Sequence, residues 1–88
     1  KMIDIKTLIS DINLKMDEEF IIQLDGIITT KIKTSGLKLQ EGKECVKFFD
    51  KNNNEILSIL KYQIMKIENV SNGYVIKFDA MQNLKIEV

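Results

Sequence analysis

The amino-acid sequence predicts a β-rich α+β fold: one N-terminal helix over about residues 5–14 and about six or seven antiparallel strands forming a small barrel or curled sheet. Three observations carry that expectation. Isoleucine occurs 15 times and valine plus threonine 8 times, against a single alanine, Ala80. β-branched side chains suit a pleated surface, and a helical bundle with one alanine would be unusual. Apolar and polar residues alternate in several separate runs, the signature of half-buried strands. Finally, 88 residues make one domain, residues 1–88, burying roughly 64% of the surface its unfolded chain exposes. That is enough for one modest core.

The elements follow in order. Ile5, Leu8, Ile9 and Ile12 fall on one helical face, and Asp4 is placed to accept a backbone N–H of the first turn. Residues 19–24 alternate, with Phe20, Ile22 and Leu24 on one side, and Asp25-Gly26 follows as a turn signal. A two-residue loop would set Phe20 opposite Lys31. One more residue pairs Leu24 with Ile28, Ile22 with Thr30 and Phe20 with Ile32, which predicts a bulged turn with Gly26 left-handed. Phe20, Ile21, Leu24, Ile27 and Ile28 also fit a helix, but Gly26 would sit inside it, so the strand reading is preferred. Ser35-Gly36 and Glu41-Gly42 bracket the alternating Leu37 and Leu39.

Residues 44–50 and 55–61 read as a hairpin joined by Lys51-Asn52-Asn53-Asn54. A four-residue loop pairs Phe48 with Leu57, Val46 with Ile59, and Glu44 with Lys61. The opposite face pairs Phe49 with Ile56 and Cys45 with Leu60. Both faces are apolar, so one needs a cover, and the N-terminal helix is the expected one. Asn72-Gly73 is a strong type I′ signal. It pairs Ile67 with Phe78, Asn69 with Ile76 and Ser71 with Tyr74, with Glu68–Lys77 and Lys66–Asp79 ion pairs on the other face. A last strand carries Leu84, Ile86 and Val88.

Composition excludes several chemistries. There is no histidine, proline, tryptophan or arginine, and Cys45 is the only cysteine. An intrachain disulfide, a Cys/His zinc site and any His-based acid, base or triad are therefore out of reach. No cofactor and no metal is expected, and the chain reads as non-enzymatic. Thirteen lysines balance thirteen carboxylates, for a net charge of zero. The balance is uneven, −3 over residues 1–30 and +3 over residues 31–51. No apolar run approaches a bilayer span and no signal-peptide pattern is present, so no membrane association is expected. A lone cysteine fits a reducing compartment, and the expected location is cytoplasmic. Lys1 ahead of Met2 fits a leftover residue before a native start and equally a piece of a longer chain.

Candidate sites are few. Cys45 lacks any histidine partner and reads as a small core residue. Asp17, Glu18 and Glu19 read as a solvated loop, and Asn52-Asn53-Asn54 as a flexible turn. Lys31, Lys33, Lys38, Lys43 and Lys47 are the one candidate binding patch. Nucleic-acid modules commonly add arginine and exposed aromatics. Here arginine is absent and most of the six aromatics fall on apolar faces.

Leu24-Asp25-Gly26 after a helix and strand, Phe49-Asp50 with Asn54, and Lys61-Tyr62-Gln63-Ile64 resemble Sm-like proteins of the bacterial type. The resemblance covers roughly residues 5–70 and implies a five-stranded barrel that forms rings and binds RNA. No RNA-binding residue carries over to this chain, and the stretch from Asn72 onward lies outside the resemblance.

The expected function is that of a small binding module acting through protein contact: an inhibitor, adaptor or subunit, of the kind that phages and mobile elements encode. The alternative is a small-barrel binder of RNA or single-stranded DNA using the lysine patch. A protein partner is expected: either a second copy in a symmetric homodimer or, alternatively, a different protein bound by a monomeric chain. Strands apolar on both faces, with Ile21, Ile27 and Tyr62 unaccounted for, leave more apolar surface than one short helix covers.

Overall fold

The computed structural model describes residues 1–88 and contains one helix and nine strands. Strand β1 (Met2–Ile3) leads into α1 (Ile5–Asn13), β2 (Glu19–Asp25), β3 (Thr30–Ser35), β4 (Lys38–Glu41), β5 (Cys45–Phe49) and β6 (Glu55–Leu60). A 3-10 turn (Lys61–Gln63) then precedes β7 (Lys66–Val70), β8 (Gly73–Lys77) and β9 (Asn83–Glu87). A six-stranded sheet has the order β1-β7-β8-β9-β2-β3, and a three-stranded sheet the order β4-β5-β6, all antiparallel. The sheets do not close into a barrel, so the five-stranded barrel of the Sm-like resemblance is not what the chain builds. The coarser expectation, a β-rich fold of one helix and antiparallel strands, holds, with nine strands in two sheets where about six or seven were expected.

One buried cluster joins the two sheets and the helix. Leu8 and Ile12 of α1 meet Phe20, Ile22, Leu39, Val46, Phe48, Ile59, Ile67, Tyr74, Ile76, Leu84 and Ile86 in it. The helical face is the expected one, and Asp4 caps it by accepting the Thr7 N–H at 2.8 Å. That bond holds the Asp4 carboxyl below its ordinary pKa. Tyr74 is buried with its hydroxyl donating to Asp11 Oδ2 at 3.2 Å. Burial, with the adjacent Asp11 charge, raises its phenol pKa.

Several expected registers move. In the β2–β3 hairpin, Leu24 pairs with Thr30, Ile22 with Ile32 and Phe20 with Thr34. The connection is longer than a bulged turn and Gly26 has no positive φ, because residues 26–29 leave the ladder as a loop. A shift of two keeps the apolar face apolar, so Ile27 and Ile28 are released to solvent at no cost to the core. The β7–β8 turn is Ser71-Asn72, pairing Val70 with Gly73, Asn69 with Tyr74 and Ile67 with Ile76. Asn72 keeps an ordinary φ and the positive value, +152°, falls on Gly73. The reason lies in the neighbouring strand, since a Cβ on Gly73 would collide with the Ile86 carbonyl of β9. Of the two expected ion pairs, Glu68–Lys77 forms at 3.7 Å, whereas Lys66 reaches Glu68 at 3.9 Å instead of Asp79, which caps its own loop.

The β5–β6 register is the expected one for Phe48–Leu57, Val46–Ile59 and Cys45–Leu60, with a bulge that sets Phe49 opposite Glu55. The expected cover is not. Helix α1 lies against β4, and Lys47 and Ser58 on the outer face of the β5–β6 pair are exposed. Asn13, at the end of α1, donates to the Leu39 carbonyl at 3.1 Å and accepts the Leu39 N–H at 2.9 Å. The helix is therefore fastened to the edge of the smaller sheet, where it supplies what a further strand would.

Candidate functional site

Two open-edged sheets leave four edges, and each must dispose of a row of backbone N–H and C=O groups. Edge strand β1 is two residues long. Edge strand β3 presents Lys31 and Lys33, both exposed, and lysines on an edge discourage further pairing. Edge strand β4 is occupied by Asn13. Strand β6 has none of these protections. Its six residues, Glu55-Ile56-Leu57-Ser58-Ile59-Leu60, hold no lysine and pair only with β5.

The direction of its free groups follows from the ladder. Lys61 N–H donates to the Glu44 carbonyl at 2.8 Å, so Lys61, Ile59 and Leu57 turn their backbone groups toward β5. Ser58 and the Leu60 N–H turn outward, while Leu60 also stands as the N-cap of the 3-10 turn that follows.

A groove of about 570 Å³ runs along this edge, lined by Leu57, Ile59, Leu60 and Tyr62 on one side and by Leu24 and Phe78 on the other. Asp79 is the only charged residue in its lining. Leu24, Phe78 and Gln82 continue it into a cleft of about 230 Å³ walled by Ile27 and Ile28. Asn83 Oδ1, a buried acceptor that no donor in the chain reaches, also lines this cleft. Around the seam, Ile27 is 98% exposed, Ile28 76%, Tyr62 79% and Leu60 41%. Asp25 sits at the mouth of the cleft, its pKa lowered first by the Gln23 amide and then by Lys85 at 3.3 Å. A separate apolar depression of about 540 Å³ lies between Ile3, Ile5, Ile64 and Ile67, beside the two-residue edge strand β1.

The lysine patch is dispersed. Lys31 and Lys33 stand on the outer face of the larger sheet, opposite Gln23 and Ile21. Lys38 and Lys47 stand on the outer face of the smaller one, opposite Phe49 and Gln40. Lys43 lies in the β4–β5 turn. All five are exposed, and Lys47 is paired with Glu55 at 3.7 Å. Phe49, half-buried, is the one aromatic among them.

The remaining candidates have structural roles. Cys45 is half-buried rather than buried, opposite Leu60. Asp17 and Glu18 are exposed, and the Glu18 carbonyl accepts the Gly36 N–H at 2.8 Å. The asparagine run is a built turn. Asp50 Oδ1 accepts from the Asn52 and Asn54 N–H groups at 2.9 Å each, which lowers its pKa, and Asn53 adopts φ 65°. The site that sequence reasoning missed is the seam itself. Its only signals were Ile27 and Tyr62 without partners and a strand free of lysine.

No helix is long and apolar enough to cross a membrane. Comparison with protein-family models, with curated proteins and with solved structures finds no match to the chain.

Proposed function

We propose that the protein is a small non-enzymatic binding module that acts through protein–protein contact, and that the contact runs along the seam between β6 and the loops at residues 26–29 and 78–82. One observation carries this reading: Leu60 and Tyr62 are exposed along the β6 groove, and Ile27 and Ile28 are exposed on the adjoining cleft that shares Leu24, Phe78 and Gln82 with it. Isolated apolar residues on a surface are ordinary, but a cluster rimming a groove beside an open strand edge is the arrangement of an interaction surface. Tyr62 suits such a role, since a tyrosine brings large contact area with a polar tip.

A photo-crosslinking amino acid at position 62 tests the reading against one at position 33, on the outer face. In extract of the native host, protein adducts from position 62 with none from position 33 support it. Adducts to RNA from position 33, with none to protein from position 62, overturn it.

A second reading has one observation in its favour. Lys31, Lys33, Lys38 and Lys43 are exposed without an ion pair among those the chain forms, leaving cationic groups for a single-stranded nucleic acid. Zero net charge and the absence of arginine weigh against it.

A further inference from the structure

We propose that the four methionines are reversible oxidation sites, held where an oxidant of the peroxide class converts each thioether to a sulfoxide while the fold stays intact. Methionine is ordinarily among the residues most often buried. Here none of the four enters the buried cluster. Met81 is 81% exposed, Met2 66%, Met65 63% and Met16 48%. Leucine, isoleucine, valine, phenylalanine and tyrosine fill the core instead.

What these residues contribute to the fold runs through the backbone. The Met16 carbonyl accepts the Leu37 N–H at 3.0 Å, the Met65 N–H donates to the Lys77 carbonyl at 2.8 Å, and the Met81 N–H donates to Asp79 Oδ1 at 2.8 Å. Met2 lies opposite Glu68 in the β1–β7 ladder. Oxidation changes only the side chain. A sulfoxide disrupts a protein where it puts a polar oxygen into a core. At these four positions water reaches the new oxygen. The reaction balances with peroxide alone. The lone pair on sulfur takes one oxygen, the O–O bond breaks, and the other oxygen leaves as water with both protons. Sulfur is oxidised by two electrons and peroxide is reduced.

Two of the four sites share a surface. Met2 and Met65 both line the depression between Ile3, Ile5, Ile64 and Ile67, so oxidation there exchanges two apolar side chains for polar, chiral ones. No methionine lines the β6 groove or its adjoining cleft. The modification and the seam contact are therefore separable. Cys45 is half-buried opposite Leu60, less open to the same oxidant than the methionines.

Dilute hydrogen peroxide, followed by peptide mapping and a circular-dichroism melt, tests the proposal. All four sulfoxides should form on the folded chain. The fully oxidised chain should melt within about 4 °C of the untreated one, the shift of a minor perturbation in a domain of this size. Methionine sulfoxide reductases, one for each epimer, should return the mass to 10.2 kDa. Met2→Leu/Met16→Leu/Met65→Leu/Met81→Leu should take up no oxygen at the same dose, which assigns the uptake to methionine rather than to Cys45. A methionine that reacts only after unfolding in urea overturns the proposal. So does a melt that falls further than that on oxidation, or oxygen uptake that persists in the quadruple variant.

Discussion

Asn13 and Leu39 exchange two hydrogen bonds, side chain to backbone, at 3.1 and 2.9 Å. A helix thereby closes a sheet edge through one amide group, which matches the peptide's own donor and acceptor. Asn13→Ala should lower stability by about 1–3 kcal/mol, because a partly buried N–H and C=O lose their partners together. Asn13→Asp, which keeps the acceptor and loses the donor, should fall between wild type and alanine. Urea unfolding with an unchanged slope measures both. A midpoint indifferent to either change would mean that the helix is held by Leu8 and Ile12 alone.

Gly73 has a different job from the one its Asn-Gly dipeptide suggests. It sits in β8 with β9 packed where a Cβ would be. Gly73→Ala should therefore cost more than about 2 kcal/mol, since the obstacle is backbone rather than a movable side chain. Asn72→Ala should cost less than about 1 kcal/mol, as Asn72 holds an ordinary φ. Equal losses from the two substitutions would point instead to a type I′ turn centred on both residues.

These two positions also show what was legible beforehand. The β5–β6 register was legible from Val46 to Phe48, because a four-residue loop sets Phe48 opposite Leu57 and Val46 opposite Ile59, though not the bulge that sets Phe49 opposite Glu55. Asp4 and the α1 face were legible for the same reason, each being set by residues within a turn or two. The Asn72-Gly73 turn was misread because β9, distant in neither space nor sheet order, overrides a local preference. The β2–β3 register slipped by two because alternation tolerates even shifts. The open edge of β6 was invisible, since whether a strand is an edge depends on where the other sheet stops.

Acid should unfold the protein through identifiable carboxylates. Asp50 is held below its ordinary pKa by the Asn54 and Asn52 N–H groups, Glu41 by Lys61, and Asp4 and Asp25 by their Thr7 and Gln23 donors. Each is depressed only in the folded state, so the unfolded chain takes up protons first. The stabilisation is fully present above the ordinary values of 3.8 and 4.5 and is lost as pH falls through the folded ones. Asp50→Asn should flatten the fall in urea midpoint below about pH 4.5. An unaltered acid profile in that variant would remove Asp50 from the account.

Binding of single-stranded RNA at physiological salt should be weaker than about micromolar, the range left to non-specific lysine contacts. Lys31→Ala/Lys33→Ala should leave protein contact at the seam unchanged, as neither residue lines it. Fluorescence anisotropy showing sub-micromolar affinity that weakens in the double variant would favour the nucleic-acid reading.

Amide hydrogen exchange at Ser58 and Leu60 tests the central claim most directly. Their N–H groups point away from β5, whereas those of Ile59 and Lys61 are bonded to it. At micromolar concentration the first two should exchange rapidly and the second two slowly. Protection at Ser58 and Leu60 equal to that at Ile59 and Lys61 in the isolated chain would contradict the open β6 edge along which the contact is placed.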